Sequence, residues 1–410
     1  MARRRTLEAT LAEGRKPTIM FVTLSLDVGG AERHLASITP ELARRGFDVK
    51  IYCLNRQGAY GDAVRAGGVD VIGPIVAADG RMTSRSRRML LSGLATVKYL
   101  SILVRHRPHI VHFFLPEAYL FGAPPAILAS IPIRIMSRRG LNLHFSRWRG
   151  LRKLESMLHQ RMTAVLGNSR RVVADLLDEG CPRNRLGLIY NGTDLTAFDA
   201  DLDRAAMRHS LGVGPEDLMA VMVANLITYK GHFDLFRALA LAKPRLARPV
   251  KIILAGRDDG IQAELTAEAK RLGISENVSF LGLRSDVAAI LKAADIGLLT
   301  SHEEGFANAV IEGMAAGLPM LVTDVGGNAE AVLDGVNGLV VPARSPEPLA
   351  EALVRLAGDD DLRARFGAKS RARAEQHFTL EACVDRYQAF YMGLCQGRLP
   401  GDIVEVSLDA

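Results

Sequence analysis

The sequence predicts an α/β protein built from two successive doubly wound parallel sheets. Three observations lead there. Short, continuously apolar runs recur along the chain, as strands buried on both faces require. Gly-marked turns and amphipathic helical stretches separate these runs, the alternation that gives parallel strands joined by crossover helices. The pattern then stops at a polar, acidic segment and starts again. At 410 residues and 48% hydrophobic, the chain is long enough for two such domains with full cores.

TIMFVTLSL (Thr18–Leu26) reads as the first strand and ends at a Gly-rich turn, Asp27-Val-Gly-Gly-Ala-Glu-Arg. A helix follows, with Leu35, Ile38 and Leu42 on one side, and stops near Gly46. DVKIYCLN, VDVIGP and IVHFFL read as further strands, then AVLGNS, the helix RRVVADLLDEG, and LGLIYNGTDL. Polar sequence around residues 194–216 marks the boundary. MAVMVANL opens the second half; KIILAG, VSFLG, IGLLTS, PMLVTD and GLVVP supply its later strands. Two Rossmann-like halves without a GxGxxG fingerprint argue for a two-domain cleft enzyme rather than a dehydrogenase. The expected boundaries are residues 17–193, residues 194–376, and a C-terminal helix over 377–397 that packs back across the first domain.

Composition narrows the classes. The N-terminus, MARRRTLEATLAEGRKP, carries charge but lacks the apolar core of a secretory signal. The longest weakly polar run, residues 115–133, contains Glu117 and several prolines and is no spanning helix. The expected location is cytoplasmic, or peripheral on the inner face of the cell membrane. Cys53, Cys181, Cys383 and Cys395 have no paired spacing and read as buried thiols. His106, His109 and His112 recur every third residue, but Pro108 breaks any helix there, so no metal site is expected.

Charge is unevenly placed. Residues 81–161 hold 15 Lys/Arg against 2 Asp/Glu, while the rest of the chain holds 37 against 43. That asymmetry implies an anionic partner. RMTSRSRRMLLSGLATVKYLSILVRHR pairs arginines with a helical apolar run, as interfacial helices do. RRGLNLHFSRWRGLRKLE sets Trp148 beside Phe145 among basic residues. An anionic membrane surface is the expected partner. No nucleic-acid module accompanies the charge, so nucleic acid is not expected.

Three sites carry candidate chemistry. At Gly29-Gly30 a helix begins straight after a strand, where backbone without Cβ atoms can approach a diphosphate. VANLITYKGH puts Lys230 just beyond a strand in a Gly-bounded turn, placed to neutralise a departing anion. EEGFANAVIEGMAAGLPMLVTDVGGNAE places Glu304 and Glu312 eight residues apart around the start of a helix. At helical rise that separation is about 12 Å, close to the span from a sugar ring across a diphosphate to a ribose.

This last segment, with EGFANAVIE followed by Gly317–Pro319 and Gly326–Glu330, resembles the signature of retaining glycosyltransferases of family 4, which have the GT-B fold. The resemblance extends from Gly29 to Glu330. It implies a nucleotide-diphospho-sugar donor, a UDP-sugar being expected, and a lipid-linked or surface-polysaccharide acceptor. It implies no cofactor and no metal. Glu304 would hold the donor sugar's hydroxyls, helped by backbone amides at Phe306, Ala307 and Asn308. Glu312 would accept from the ribose hydroxyls. Lys230 and the Gly29-Gly30 loop would serve the diphosphate. Base selection is expected near Arg284, in the GLRSD turn.

The chain departs from the family pattern twice. Asn225 stands where the family usually has arginine, which removes one positive charge. Phe114 stands where many members have a histidine beside the reacting sugar. His112 fits the preceding histidine position, with a core role and a functional one both open. Two other readings stand beside the transferase: a non-catalytic partner subunit, which Asn225 and Phe114 would suit, and a nucleotide-sugar 2-epimerase. The epimerase would need several acid/base groups in loops that here offer mostly arginine.

Overall fold

The computed structural model describes residues 2–73, 85–140 and 149–404, with side chains undescribed at 2–6, 85–94 and 149. Phe145 and Trp148 of the basic stretch lie outside the described residues. The chain divides into two compact units: residues up to Asn191 joined by those from Cys383 onward, and residues Gly192–Ala382.

The first unit holds seven parallel strands: β1 (Thr18–Thr23), β2 (Asp48–Cys53), β3 (Asp70–Ile72), β4 (Ile110–Phe114), β5 (Ile133–Arg138), β6 (Ala164–Gly167) and β7 (Leu186–Leu188). Their order is β3-β2-β1-β4-β5-β6-β7, so the direction of winding reverses between β1 and β4. In the second unit, β8 (Leu218–Val223), β9 (Val250–Ala255), β10 (Val278–Gly282), β11 (Ile296–Leu299), β12 (Met320–Thr323) and β13 (Gly338–Val341) take the order β10-β9-β8-β11-β12-β13. The reversal there lies between β8 and β11. Open α/β sheets bind ligands at the carboxyl ends of strands at such a switch point.

Seven helices shape the candidate sites and the surfaces around them: α1 (Gly30–Arg44), α2 (Arg85–His106), α3 (Pro116–Leu128), α4 (Arg149–His159), α5 (His232–Ala242), α6 (Asn308–Ala315) and α7 (Leu380–Cys395). α1 buries His34, Leu35, Ile38, Thr39 and Leu42, one helical stripe against the sheet. It ends where Gly46, at φ +87°, returns its N–H to the Ala43 carbonyl. From Cys383, α7 is part of the first unit's core, with Tyr387, Phe390 and Tyr391 fully buried.

One strand escaped the sequence reading. β5 is IRIMSR, and Arg134, Ser137 and Arg138 interrupt its apolar run. The strand is nevertheless buried, because Arg138 brings its own counterions. Its guanidinium lies 2.5 Å from Glu155 of α4 and 2.9 Å from Glu179. Beside it His159 Nδ1 lies 3.2 Å from the Tyr119 hydroxyl, and burial together with the Arg138 charge pushes the imidazole down to about 3. Glu155, His159 and Glu179 are close enough to share a metal ion, but Arg138 already takes both carboxylates.

Candidate functional site

The second unit gathers its candidate groups where its sheet reverses. After β8 the chain makes a single turn, Thr228–Lys230, and passes through Gly231 at φ +74°. A Cβ on Gly231 would fall 1.9 Å from the Thr300 carbonyl oxygen, so only glycine lets this turn lie against the end of β11. The Thr300 hydroxyl donates to the carbonyls of Lys230 and Gly231, and the His302 N–H donates to that of Tyr229 at 2.6 Å. Lys230 is thereby delivered to Glu304.

The contact is direct. Lys230 Nζ donates to Glu304 Oε1 at 2.6 Å, and the Ser301 hydroxyl donates to the same oxygen at 2.7 Å. The two side chains are 17% and 11% exposed. Burial works against the ammonium, but the Glu304 carboxylate outweighs it, and Lys230 is held above the ordinary lysine range. Its charge also lies over the Tyr229 ring, 5.2 Å from the centroid. Alongside, His302 Nε2 and Asp234 of α5 meet at 2.7 Å.

A second pair of glycines fixes Glu304 from the other side. Gly326 has φ +54°, and a Cβ there would lie 2.2 Å from the Glu304 carbonyl. The Gly327 N–H donates to the Gly305 carbonyl at 2.7 Å. This clamp keeps Glu304 out of the helix: α6 begins only at Asn308, with Ala307 as its extended N-cap. The helical ruler used for the two glutamates therefore does not span them. Only Asn308 to Glu312 is helical, a rise of about 6 Å. Glu312 is 2% exposed, and Phe306 is buried against Phe378, ring centroids 5.3 Å apart.

Asn225 follows β8 and accepts the Arg257 N–H at Oδ1 (3.3 Å) while donating to Asp259 at 3.2 Å. Arg284 follows the edge strand β10 and forms a fork with Asp286 at 2.8 and 2.6 Å.

The first unit places Gly29 and Gly30 at the start of α1, beside β4, as its switch point requires. The Glu32 carboxylate folds back there: a Cβ on Gly29 would lie 2.3 Å from its Oε2. Burial, and then Asp27 and Glu117, raise its pKa. An anion reaching this loop must displace that carboxylate. His112 is fully buried in β4, with Nδ1 2.8 Å from the Tyr391 hydroxyl and Nε2 2.7 Å from that of Ser137. Both ring nitrogens therefore have hydroxyl partners within the first unit. Phe114 is equally buried, its ring between His34 and His112, with the Arg139 guanidinium 5.3 Å away over its face. Arg139, His34, His302 and Arg257 were missed in the sequence. Arg257 alone had a readable signal, a strand, one glycine and then a cation.

Two family profiles match the chain. One, described as Glycosyltransferase Family 4, matches residues 28–197; the other, Glycosyl transferases group 1, matches residues 203–373. The chain belongs to glycosyltransferase family 4. Among its relatives is the D-inositol 3-phosphate glycosyltransferase of Nocardia farcinica, 33% identical over 239 residues, which are 56% of this chain and 52% of that protein. The enzyme of the same name from Corynebacterium urealyticum is 27% identical over 395 residues, 88% and 91% of the two chains. The Anabaena protein Alr3699/HepE, solved in complex with UDP-glucose, superposes with a TM-score of 0.78 at 23% identity, covering 91% of this chain and 98% of that one. Sucrose-phosphate synthase from Thermosynechococcus elongatus gives 0.77 at 18%, covering 93% and 100%. Two parallel-sheet α/β units and these neighbours make the fold of this family 4 glycosyltransferase GT-B.

Proposed function

We propose that this transferase retains configuration and needs no metal, moving a sugar from a UDP-sugar to a lipid-linked or surface-polysaccharide acceptor on the inner face of the membrane. The Lys230–Glu304 pair at the β8/β11 switch point carries this reading. An ammonium that stays protonated suits a departing diphosphate, and a carboxylate beside it suits the hydroxyls of the attached sugar. The acceptor oxygen bonds to the anomeric carbon on the face from which the diphosphate leaves. The anomeric C–O bond breaks, and a phosphate oxygen takes the acceptor's proton. No side-chain base is needed, consistent with phenylalanine at position 114.

The UDP complexes of HepE support uracil as the base. A thermal-shift panel with UDP, GDP, ADP and their sugars tests the donor. A nucleotide at 100 times its dissociation constant adds about 2.7 kcal/mol of stability. We expect UDP and its sugars to raise the melting temperature; no shift from any of them would remove the UDP-sugar assignment.

The membrane part rests on three helices in sequence-adjacent contact. Val97 and Val104 of α2, Phe121 and Leu128 of α3, and Leu154 and Met157 of α4 are all exposed. Each pair is spaced to share one helix face. Lys98, Arg105, Arg152, Lys153 and Arg161 provide charge on or beside these helices. Exposed apolar side chains amid cations suit an anionic bilayer surface. Among the described residues no helix is long and apolar enough to cross a membrane. We expect the protein to float with phosphatidylglycerol vesicles and to stay behind with phosphatidylcholine. Equal recovery from both would sink the membrane reading. The names of the relatives favour a second acceptor, a soluble phosphorylated polyol, for which the same cations would serve the phosphate.

A further inference from the structure

We infer that Arg257 is a second cation for the leaving diphosphate, parked on Asp259 until the donor arrives. The inference rests on the nucleotide-diphosphate reading of the Lys230 site and adds a residue to it. It begins with a charge problem. Lys230 is already bonded to Glu304, so the pair together brings no net positive charge to a group that leaves with more negative charge than it had when bound. Asn225, at the end of β8, supplies none.

The backbone places Arg257 at the vacant-charge position. β8 and β9 are parallel neighbours with Val223 opposite Ala255. The ladder continues past both strands, since Ala224 N–H donates to the Ala255 carbonyl and Leu226 N–H to that of Arg257. A Cβ on Gly256 would lie 2.0 Å from the Ala224 carbonyl oxygen, so a glycine is required for this approach. Arg257 therefore emerges beside Asn225 at the carboxyl end of the sheet. The same end carries Tyr229, whose phenol is pushed up by burial first, eased by Lys230, and raised further by Glu304, Glu303 and Asp259. Asp259 thus lies within electrostatic reach of the Tyr229 phenol, whose ring the Lys230 ammonium overlies.

The parking contact is cheap to leave. Arg257 donates from Nε to Asp259 Oδ1 at 2.7 Å and from a terminal nitrogen to Oδ2 at 3.3 Å, but the two side chains are 49% and 25% exposed. Exposed ion pairs contribute little, whereas a guanidinium meets phosphate oxygens through two parallel N–H bonds. When Arg257 turns to the diphosphate, Asp259 keeps the Asn225 amide donor, 3.2 Å away. Asn225 is then a positioning residue that holds the carboxylate back.

Calorimetry on the full-length protein with UDP, GDP, ADP and the matching nucleosides tests this, alongside turnover. Arg257→Ala should weaken the preferred diphosphate about tenfold or more, leave its nucleoside unchanged and lower kcat. Asp259→Ala should tighten the diphosphate, which a merely structural pair would not do. Asn225→Arg in the Arg257→Ala background should restore binding. If Arg257→Ala binds and turns over as the parent does while Lys230→Ala is impaired, the Arg257 assignment is wrong and the site reading stands. If Lys230→Ala is equally silent, the diphosphate site itself is misplaced.

Discussion

Lys230→Ala is expected to lower turnover by about 10²–10³-fold, the loss typical of removing one preorganised charge from a transition state. As the diphosphate departs from the sugar, the negative charge that accumulates on it is met by the Lys230 ammonium. The protein should stay folded. Glu304 keeps the Ser301 hydroxyl at 2.7 Å and is partly reached by water, so the stability cost lies between an exposed and a buried broken pair, about 1–2 kcal/mol. The pH profile is part of the same expectation. A lysine held above its ordinary range is protonated at every pH below that range, so the Lys230 contribution is full at neutral pH and is lost only as pH climbs through the raised value. Steady-state kinetics and a melting curve check both halves. A variant with unchanged kcat would take Lys230 out of the leaving-group site.

The largest stability effect belongs to Arg138. Its side chain is 1% exposed and touches Glu155 at 2% and Glu179 at 14%. Arg138→Met leaves two carboxylates facing one another without their counterion. Breaking such a pair costs about 3–5 kcal/mol, which for a unit of this size lowers the melting temperature by roughly 6–20 °C. The deficit should shrink as pH falls. Buried carboxyls without a counterion take a raised pKa, so the folded variant binds protons more readily than the unfolded chain and gains stability as pH falls. Adding Glu155→Leu and Glu179→Met should recover most of the loss, because the unpaired charges go with them. A melting temperature unmoved by Arg138→Met would mean that water reaches this cluster.

What the sequence made legible is what is local. Strands such as MAVMVANL and IGLLTS announced themselves as unbroken apolar runs, and the residues just after them, Lys230 and Glu304, could be placed at strand ends on that ground. β5 stayed hidden because a strand carrying Arg134 and Arg138 looks solvated until Glu155 and Glu179 are brought beside it by folding. The Lys230–Glu304 bond was hidden for a related reason. It depends on Gly231 lying against Thr300 and on Gly326 lying against Glu304, approaches between segments about 70 and 22 residues apart. The helical ruler laid over Glu304 and Glu312 failed at the same clamp, and the hydroxyl partner of His112 at Tyr391 lies 279 residues away.

The first unit's dependence on α7 sets an order of assembly during synthesis. Every residue of the second unit leaves the ribosome before Cys383, so that unit can close its core while the first still lacks three of its buried aromatic side chains. Until Tyr391 emerges, the His112 imidazole has no hydroxyl at Nδ1, and until Tyr387 emerges neither His34 nor Arg139 has its phenol. The part of the chain made first is finished last.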